Sequence, residues 1–282
     1  MNKFQKFSEL SRAKVNLTLH LVGRRSDGYH YLDSLVAFPS VGDQITVELA
    51  DRINLKIVGR LAEKLSVNDN LILRSINYLN HHGRGASIVL DKDIPLSAGL
   101  GGGSSNSAVV LKMLSKLWKQ PLPSIKKQIL LGADVPVCMS WDLQRMQGIG
   151  EKIVKIKEPS SIWIVLVNLG DQVSTGLVFN SVDSYNNDGL GVLPVFYNKE
   201  VFIKFLLSKR NDLETSAIKL FPQIKNLLDA LKQNPGCSIS RMSGSGATCF
   251  GLFFKKTDAM KTSKDLIREF PKAWIRVAEL FS

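Results

Sequence analysis

The stretch IPLSAGLGGGSSNSAVVLKML, Ile94 to Leu114, carries glycines at positions 99, 101, 102 and 103 and then runs into an apolar repeat. Glycine costs backbone entropy on folding, so four in five positions require a return, either left-handed backbone or something lying against the main chain. Val109, Val110, Met113, Leu114 and Leu117 recur at helical spacing, which predicts a helix from about Ser104 to Trp118 with Ser104, Ser105 and Asn106 as N-terminal caps. The first N–H groups of a helix lack intrahelical partners and its dipole favours negative charge there. The stretch therefore reads as a cradle for phosphate oxygens, with a tight connector as the alternative. It is neither of the two commonest phosphate motifs. No lysine follows as in G-x-x-x-x-G-K-[ST], and no register gives G-x-G-x-x-G.

Outward from the loop, strands and helices are mixed without regular alternation, which predicts an α+β chain. Val15, Leu17, Leu19 and Leu21 alternate with Lys14, Asn16, Thr18 and His20, the period of a half-buried strand with a polar face. Residues 44–58 predict a pair of strands, 70–79 a helix and 86–90 a strand. In the second half, 161–169 reads as a buried strand, NSVDSYNNDGLG as a loop, and 199–208 and 216–231 as helices. SISRMSGSGATCFGLFF then predicts two strands around a glycine turn, followed by a helix over 258–270 and a strand over 274–280. The domain boundary is placed near residue 153, giving domains 1–153 and 154–282.

The 282 residues carry a net charge of +12 with the basic residues scattered, so no polybasic arm marks a nucleic-acid binder. The longest apolar run is too short to span a bilayer. The N-terminus lacks a signal-peptide pattern, and a cytoplasmic location is expected. Three cysteines at unrelated spacings suit neither a disulfide framework nor a zinc site and are expected reduced.

On residue type alone, Asp134 in GADVP reads either as a turn aspartate or as a carboxylate able to take a proton from an alcohol. Lys14 reads as a solvated strand lysine or a functional cation, Phe179 as core or contact, and Lys92 as a strand-end lysine or a phosphate contact.

Pro95 to Asn106 resembles the P-x-x-x-G-L-G-x-S-S loop of the galactokinase, homoserine kinase, mevalonate kinase and phosphomevalonate kinase (GHMP) superfamily, with one extra glycine. SRAKVNLTLHLVGRRSDGYHYLDSL (11–35), LGADVPV (131–137), GIGE (148–151), NDLE (211–214) and RMSGSGATCF (241–250) are similar, in order, to blocks of the 4-diphosphocytidyl-2-C-methyl-D-erythritol kinase family. The resemblance implies two α+β domains of the GHMP-kinase fold with the active site in the interdomain cleft. It implies ATP as co-substrate, with magnesium whose ligands it does not assign. The reaction implied is transfer of the γ-phosphoryl group to the 2-hydroxyl of diphosphocytidyl methylerythritol, in non-mevalonate isoprenoid biosynthesis. Leu96, Ser97, Ala98, Gly99, Leu100, Gly101, Gly102, Gly103, Ser104, Ser105 and Asn106 would hold ATP, with Asn68 and Asn70 near the adenine. Lys14 and Asp134 would be catalytic. Asn16, Tyr29, His30, Thr175 and Phe179 would bind the substrate, the aromatics flanking the cytosine and His30 on its polar edge.

CMSWDLQRMQG departs from the family pattern, with Trp141, Leu143 and Met146 where small residues are usual, and is expected to change local packing. Two alternatives stay open: a sister kinase for homoserine, mevalonate or a sugar, and a noncatalytic basic nucleic-acid binder. The family reading expects a small-molecule substrate, no nucleic acid or membrane, and a monomer or weak homodimer.

Overall fold

Short alternating segments, punctuated by glycine and proline, build three sheets. The computed structural model describes residues 6–66, 70–79 and 81–281. Its strands are β1 (Lys6–Arg12), β2 (Val15–Asn16), β3 (His20–Arg24), β4 (His30–Ala37), β5 (Gly42–Ala50), β6 (Asn54–Val58), β7 (Gly85–Asp91), β8 (Gln144–Gly148), β9 (Lys152–Lys155), β10 (Ile162–Asn168), β11 (Cys237–Met242), β12 (Cys249–Phe253) and β13 (Trp274–Leu280). Its α-helices are α1 (Leu71–Ile76), α2 (Gly102–Leu117), α3 (Ile125–Leu131), α4 (Thr175–Asn180), α5 (Lys199–Leu207), α6 (Glu214–Leu220), α7 (Gln223–Gln233) and α8 (Lys256–Glu269). Among the described residues no helix is long and apolar enough to cross a membrane.

The chain forms two compact units that are interleaved in sequence, whereas a cut at residue 153 divides it into contiguous halves. The first unit comprises Met1–Ala13, Gly42–Leu96 and Gly101–Trp141. Its sheet runs β1-β5-β7-β6, and α2 packs across β1 and β5. The segments expected as a strand pair, β5 and β6, do not pair with each other; β7 lies between them, antiparallel to β5 and parallel to β6. Ile45, Val47, Ile88 and Leu90 on the sheet, and Val109, Val110 and Leu114 on α2, are fully buried.

The second unit comprises Lys14–Val41, Ser97–Leu100 and Asp142–Ser282. One sheet runs β11-β12-β10-β13, and the other β2-β4-β8-β9 with β3 also on β4. A core of Leu19, Leu21, Val165, Val167, Ile224, Leu227 and Phe253 joins the β3 region to β10, β12 and α7. The helix expected over 216–231 is divided into α6 and α7 at Phe221 and Pro222. Proline lacks the N–H that would continue a helix and disfavours helical geometry at the residue before it, and Phe221 accordingly has φ −135°.

The alternating segment at 14–21 also differs from expectation. It is not one strand with a wet face: every residue from Ala13 to Leu21 is buried, including Lys14, Asn16, Thr18 and His20. His20 illustrates how a polar side chain survives there. Its Nδ1 donates to the Asp188 carbonyl at 2.8 Å and its Nε2 accepts the Arg210 N–H at 3.4 Å, and burial holds its pKa below the usual imidazole value. The bulky residues of the atypical stretch are absorbed: Leu143 and Met146 are buried, and Trp141 lies under the Lys112 ammonium at 4.4 Å. Cys138, Cys237 and Cys249 are free thiols.

Before the glycine loop, the chain is fixed by one buried carboxylate. Asp43 Oδ1 accepts the N–H groups of Asp93 and Ile94, and Oδ2 accepts Lys92 Nζ and Asn106 Nδ2, all at 2.8–2.9 Å. Lys92 is buried with it, and burial lowers the lysine pKa even though Asp43 works to raise it. Removing one partner of a buried ion pair leaves the other uncompensated, at a cost of about 3–5 kcal/mol. Asp43→Ala is therefore expected to lower the thermal midpoint strongly and to raise amide exchange at residues 92–94; an unchanged melting curve would show that the carboxylate does not hold this turn.

Candidate active site

The glycine loop has left-handed backbone at every second residue: φ is 49° at Ser97, 71° at Gly99 and 59° at Gly101. Glycine satisfies that demand without strain; Ser97 meets it with a side chain, which is uncommon. At Gly99 a second constraint applies, because a Cβ there would lie 2.2 Å from the Ser243 carbonyl oxygen. Helix α2 begins at Gly102, with Gly101 in the capping position and no side chain bonded to the cap. The expected caps therefore lie inside the helix. Ser105 Oγ donates to the Arg12 carbonyl at 2.7 Å and accepts from Ser11 Oγ at 2.9 Å, and Asn106 Nδ2 is held by Asp43. Ser104 is half-buried.

Two further glycines separate by what surrounds them. A Cβ on Gly102 would meet Ile94 Cγ2 at 3.3 Å and Lys92 Nζ at 3.6 Å, so the protein itself fills that space. Among the described residues a Cβ on Gly103 would meet only Leu71 Cδ2, at 3.9 Å, and the residue is exposed. Its missing side chain leaves the helix start open, as a ligand seated on the first N–H groups requires. Asn70 caps the neighbouring α1, its Oδ1 accepting the Ile72 N–H at 3.0 Å. Asn68 lies outside the described residues. Lys92 is not a solvent-facing lysine; its ammonium is bonded to Asp43 and to the Ile94 carbonyl.

In the second unit, the turn between β11 and β12 grips residues 97–100. Ser243 Oγ donates to the Gly99 carbonyl at 2.9 Å and accepts the Asn16 N–H at 3.1 Å. Thr248 N–H donates to the Ala98 carbonyl at 3.2 Å, and Lys14 N–H to the Leu100 carbonyl at 2.8 Å. Lys14 and Asn16 are thereby referenced to the loop backbone. Asn16 Nδ2 donates to Ser34 Oγ at 2.8 Å, while its Oδ1 is buried without a partner among the described residues. Thr175 Oγ1 reaches the same turn through Ser245 Oγ, 3.0 Å away.

The NDLE motif holds the turn from behind. Asn211 Nδ2 donates to the carbonyls of Met242 and Gly244 at 2.9 and 2.8 Å, and Glu214 Oε2 accepts the Met242 N–H at 2.8 Å. Burial pushes the Glu214 carboxyl above its usual value. Arg241 is also buried and donates to the carbonyls of Leu17, Leu206 and Lys209. Sequence reasoning quoted these motifs without assigning their residues work. The available signal was their content: Asn, Glu and Arg beside a glycine turn, types that can satisfy several backbone groups at once.

The segment SDGYHYL forms the β3–β4 hairpin. Arg25 N–H donates to the Tyr29 carbonyl at 2.7 Å, and the Arg25 guanidinium forks onto Asp27. Tyr29 at its tip is 60% exposed, while His30 is buried. The imidazole lies 5.3 Å from the Phe179 ring, tilted by 36°. Burial, and then the charge of Arg24, keep its pKa below the usual value and favour the neutral ring, which offers one donor and one acceptor. Tyr185, which the sequence did not single out, lies 5.8 Å from the same imidazole.

Asp134 belongs to the first unit. It follows α3 and Gly132, is half-buried, and its carbonyl accepts the Cys138 N–H at 3.2 Å at the start of a short 3-10 turn, Val137–Met139, that packs against α2. The structure thus groups Lys14, Asn16, residues 97–100 and Thr175 around the 243–248 turn, and His30 with Phe179. Residues 101–106, Asn70 and Asp134 lie in the first unit.

Residues 70–140 match the GHMP kinases N terminal domain and residues 201–272 the GHMP kinases C terminal domain. The chain is 44% identical over 273 residues to a 4-diphosphocytidyl-2-C-methyl-D-erythritol kinase of Cereibacter sphaeroides, covering 96% of this chain and 98% of that one. It is 38% identical to the enzyme of that name from Parvibaculum lavamentivorans, covering 96% and 97%. A crystal structure of 4-(cytidine 5'-diphospho)-2C-methyl-D-erythritol kinase superimposes with a TM-score of 0.79 at 32% identity, covering 97% and 99%. Homoserine kinase from Cytophaga hutchinsonii shares the fold, with a TM-score of 0.69 at 14% identity over 99% and 96%. Two-domain α+β architecture, both domain matches and identity along nearly the whole chain place this protein in the 4-diphosphocytidyl-2-C-methyl-D-erythritol kinase family of GHMP kinases.

Proposed function

We propose that the chain transfers the γ-phosphoryl group of ATP to the 2-hydroxyl of 4-diphosphocytidyl-2-C-methyl-D-erythritol, a step of non-mevalonate isoprenoid biosynthesis. The observation that carries the substrate is the buried His30 against Phe179, an imidazole able to bond a base edge beside an aromatic face, suited to a pyrimidine. Homoserine or mevalonate presents no base to such a group. The enzyme works in the cytoplasm on a small molecule, without nucleic acid, as a monomer or weak homodimer.

In this reading Leu96 to Asn106 carry the triphosphate, with the open start of α2 at Gly103 as the closest approach. Asn70 lies toward the adenine. Tyr29 and Phe179 flank the cytosine, His30 bonds its edge, and Thr175 and Asn16 hold the rest of the substrate. Asp134 takes the proton of the 2-hydroxyl as its oxygen bonds to the γ-phosphorus, and the bond to the β-phosphate oxygen breaks to release ADP. Lys14 orients the hydroxyl and stabilises charge in the transition state. Magnesium would accompany the triphosphate and help to neutralise its charge. Among the described residues no group of three or more acidic, histidine or cysteine side chains could cage it, and no step is assigned to it.

Gly103→Ala tests the cradle cleanly. Among the described residues outside its own helix the new methyl meets nothing closer than Leu71 Cδ2 at 3.9 Å, and it sits in a helix, where alanine is favoured over glycine by up to about 1 kcal/mol. The variant should melt no lower than the parent yet bind ATP more weakly by calorimetry; unchanged ATP affinity would mean that phosphate does not approach there.

Tyr29→Ala removes an exposed ring, so folding should be unaffected. Stacking on a base contributes roughly 1–3 kcal/mol, and the KM for the cytidyl substrate should rise about tenfold or more with ATP affinity steady. Equal losses for both ligands would assign Tyr29 to the fold.

For the chemical step, Asp134→Asn should lower kcat by about 10²–10⁴-fold, the usual scale of general-base loss. Lys14→Met should give a comparable fall. Groups acting as a unit are non-additive, so the double variant should be scarcely slower than the worse single one. Near-normal turnover in a folded Asp134→Asn enzyme would remove the proton-acceptor role.

A further inference from the structure

Among the described residues the His30 imidazole has two aromatic neighbours, and of these Phe179 is the one matched to the family pattern. The other, Tyr185, meets it edge-on, with centroids 5.8 Å apart and planes at 69°. Tyr185 comes from NSVDSYNNDGLG, the segment expected as a loop, yet the backbone that presents it is fastened at successive points. Val22 bridges Asn186, and Asn187 N–H donates to the Leu21 carbonyl at 2.9 Å. Asn187 Nδ2 donates to Asp212 Oδ2 at 3.0 Å, and the Asp188 carbonyl accepts both His20 Nδ1 and an Arg210 NH group. Leu190 N–H donates at 2.8 Å to Asp33, a buried carboxylate already gripped by the Arg145 fork at 2.7–2.8 Å. Residues 186–190 are a strap laid along β3, and Tyr185 is the residue at its leading end.

Arg24 completes the group. It pairs with His30 across the β3–β4 ladder and holds its guanidinium 5.7 Å from the centre of the Tyr185 ring. We propose that Tyr185 is a positioning residue for base recognition: together with Phe179 it fixes the plane of the His30 imidazole, and together with Arg24 it fixes a cation beside that ring. The inference rests on the reading that His30 and Phe179 receive the cytosine.

The physical argument is geometric. One ring against an imidazole leaves it free to rotate about its outer bond; a second ring meeting it at a different angle removes that freedom. A hydrogen bond to a base edge depends on the plane of the donor ring, because alignment below about 120° weakens it steeply. An edge-on aromatic pair contributes enough to change an equilibrium about three- to tenfold. Tyr185 is 42% exposed, so its side chain is not a pillar of the core. The strap is held by backbone groups and by Asn187, which remain when the ring is removed.

The test is steady-state kinetics of the full-length enzyme with ATP and the diphosphocytidyl substrate, on Tyr185→Ala, Tyr185→Phe and Phe179→Ala, with thermal melting of each. Tyr185→Ala should raise the KM for the cytidyl substrate about three- to tenfold, with kcat and the KM for ATP within about twofold of the parent and the melting point kept. Tyr185→Phe, which restores the ring edge, should return the KM to the parental value. If Phe179→Ala raises that KM and Tyr185→Ala does not, the role of Tyr185 is overturned while the pocket stands. If neither variant moves it, the cytosine assignment falls and this inference with it. Parallel losses for ATP and the cytidyl substrate with a lower melting point would make Tyr185 structural, and failure of Tyr185→Phe to rescue would transfer the effect from the ring to its hydroxyl.

Discussion

The hydroxyl of Ser243 accepts the N–H of Asn16 and donates to the carbonyl of Gly99, and the arrangement of the site depends on that double bond. It couples the segment bearing Lys14 and Asn16 to the backbone of the glycine loop. Neither partner could be held so closely by a larger group, since a Cβ on Gly99 would already overlap the Ser243 carbonyl. The turn that carries Ser243 is itself tied down by Asn211 and Glu214, so the loop is positioned by a succession of buried polar contacts and not by apolar packing alone. Such networks suit a phosphoryl-transfer site, where positioning supplies most of the catalysis and small displacements are costly.

The glycines that mark the loop have separate causes. Gly99 and Gly101 adopt left-handed backbone, Gly99 also clears the Ser243 turn, and Gly102 clears Ile94 and the Lys92 ammonium. Of the four, Gly103 has the loosest surroundings among the described residues, and it is where the proposed phosphate contact would replace a side chain. The buried Asp43–Lys92 pair stands just before this point. A lysine next to a phosphate loop invites assignment as a phosphate ligand, but here its ammonium fixes the turn at Ile94 and, through Asp43, the orientation of Asn106.

Much of this was legible in the sequence because the signals are local. Periodicity located α2, β10, α5, α8 and β13, and the mixture of elements gave the α+β class; the resemblance of five motif blocks, in order, to those of a known family pointed to that family. What stayed hidden depends on distant partners. The 14–21 alternation looks like a half-wet strand, and nothing local reveals that Ser34, Asp188, Arg210 and Ser243 bury its polar members. The placement of β7 between β5 and β6 is invisible for the same reason, since strand order is set by crossovers and not by pattern. Pro222 was a readable stop within 216–231, but the apolar periodicity on both sides of it outweighed the missing N–H. Tyr185 escaped because its segment is polar and glycine-containing, which describes a loop correctly as composition and misses the backbone contacts that hold it as a strap.

Strand β4 links the two ends of the proposed substrate. His30 is its first residue, and Ser34, which holds the Asn16 side chain, lies four residues further on. Even-numbered positions of a strand share a face, and at about 3.3 Å per residue the two are on the order of 13 Å apart. A base at His30 and a reacting hydroxyl near Asn16 and Lys14 would then be separated by a fixed length of pleated backbone, paired on one side to β2 and β3 and on the other to β8. A diphosphate bridging a cytidine and a short polyol is an extended molecule of that order. On the proposed assignment of His30 to the base, the same strand would set where the hydroxyl falls, so that discrimination against a substrate lacking the nucleotide would arise from register as well as from contact. Without a base seated at His30, a free polyol reaching the Asn16 end would carry no anchor to orient it, and the binding interactions remote from the reacting atoms would be lost to catalysis.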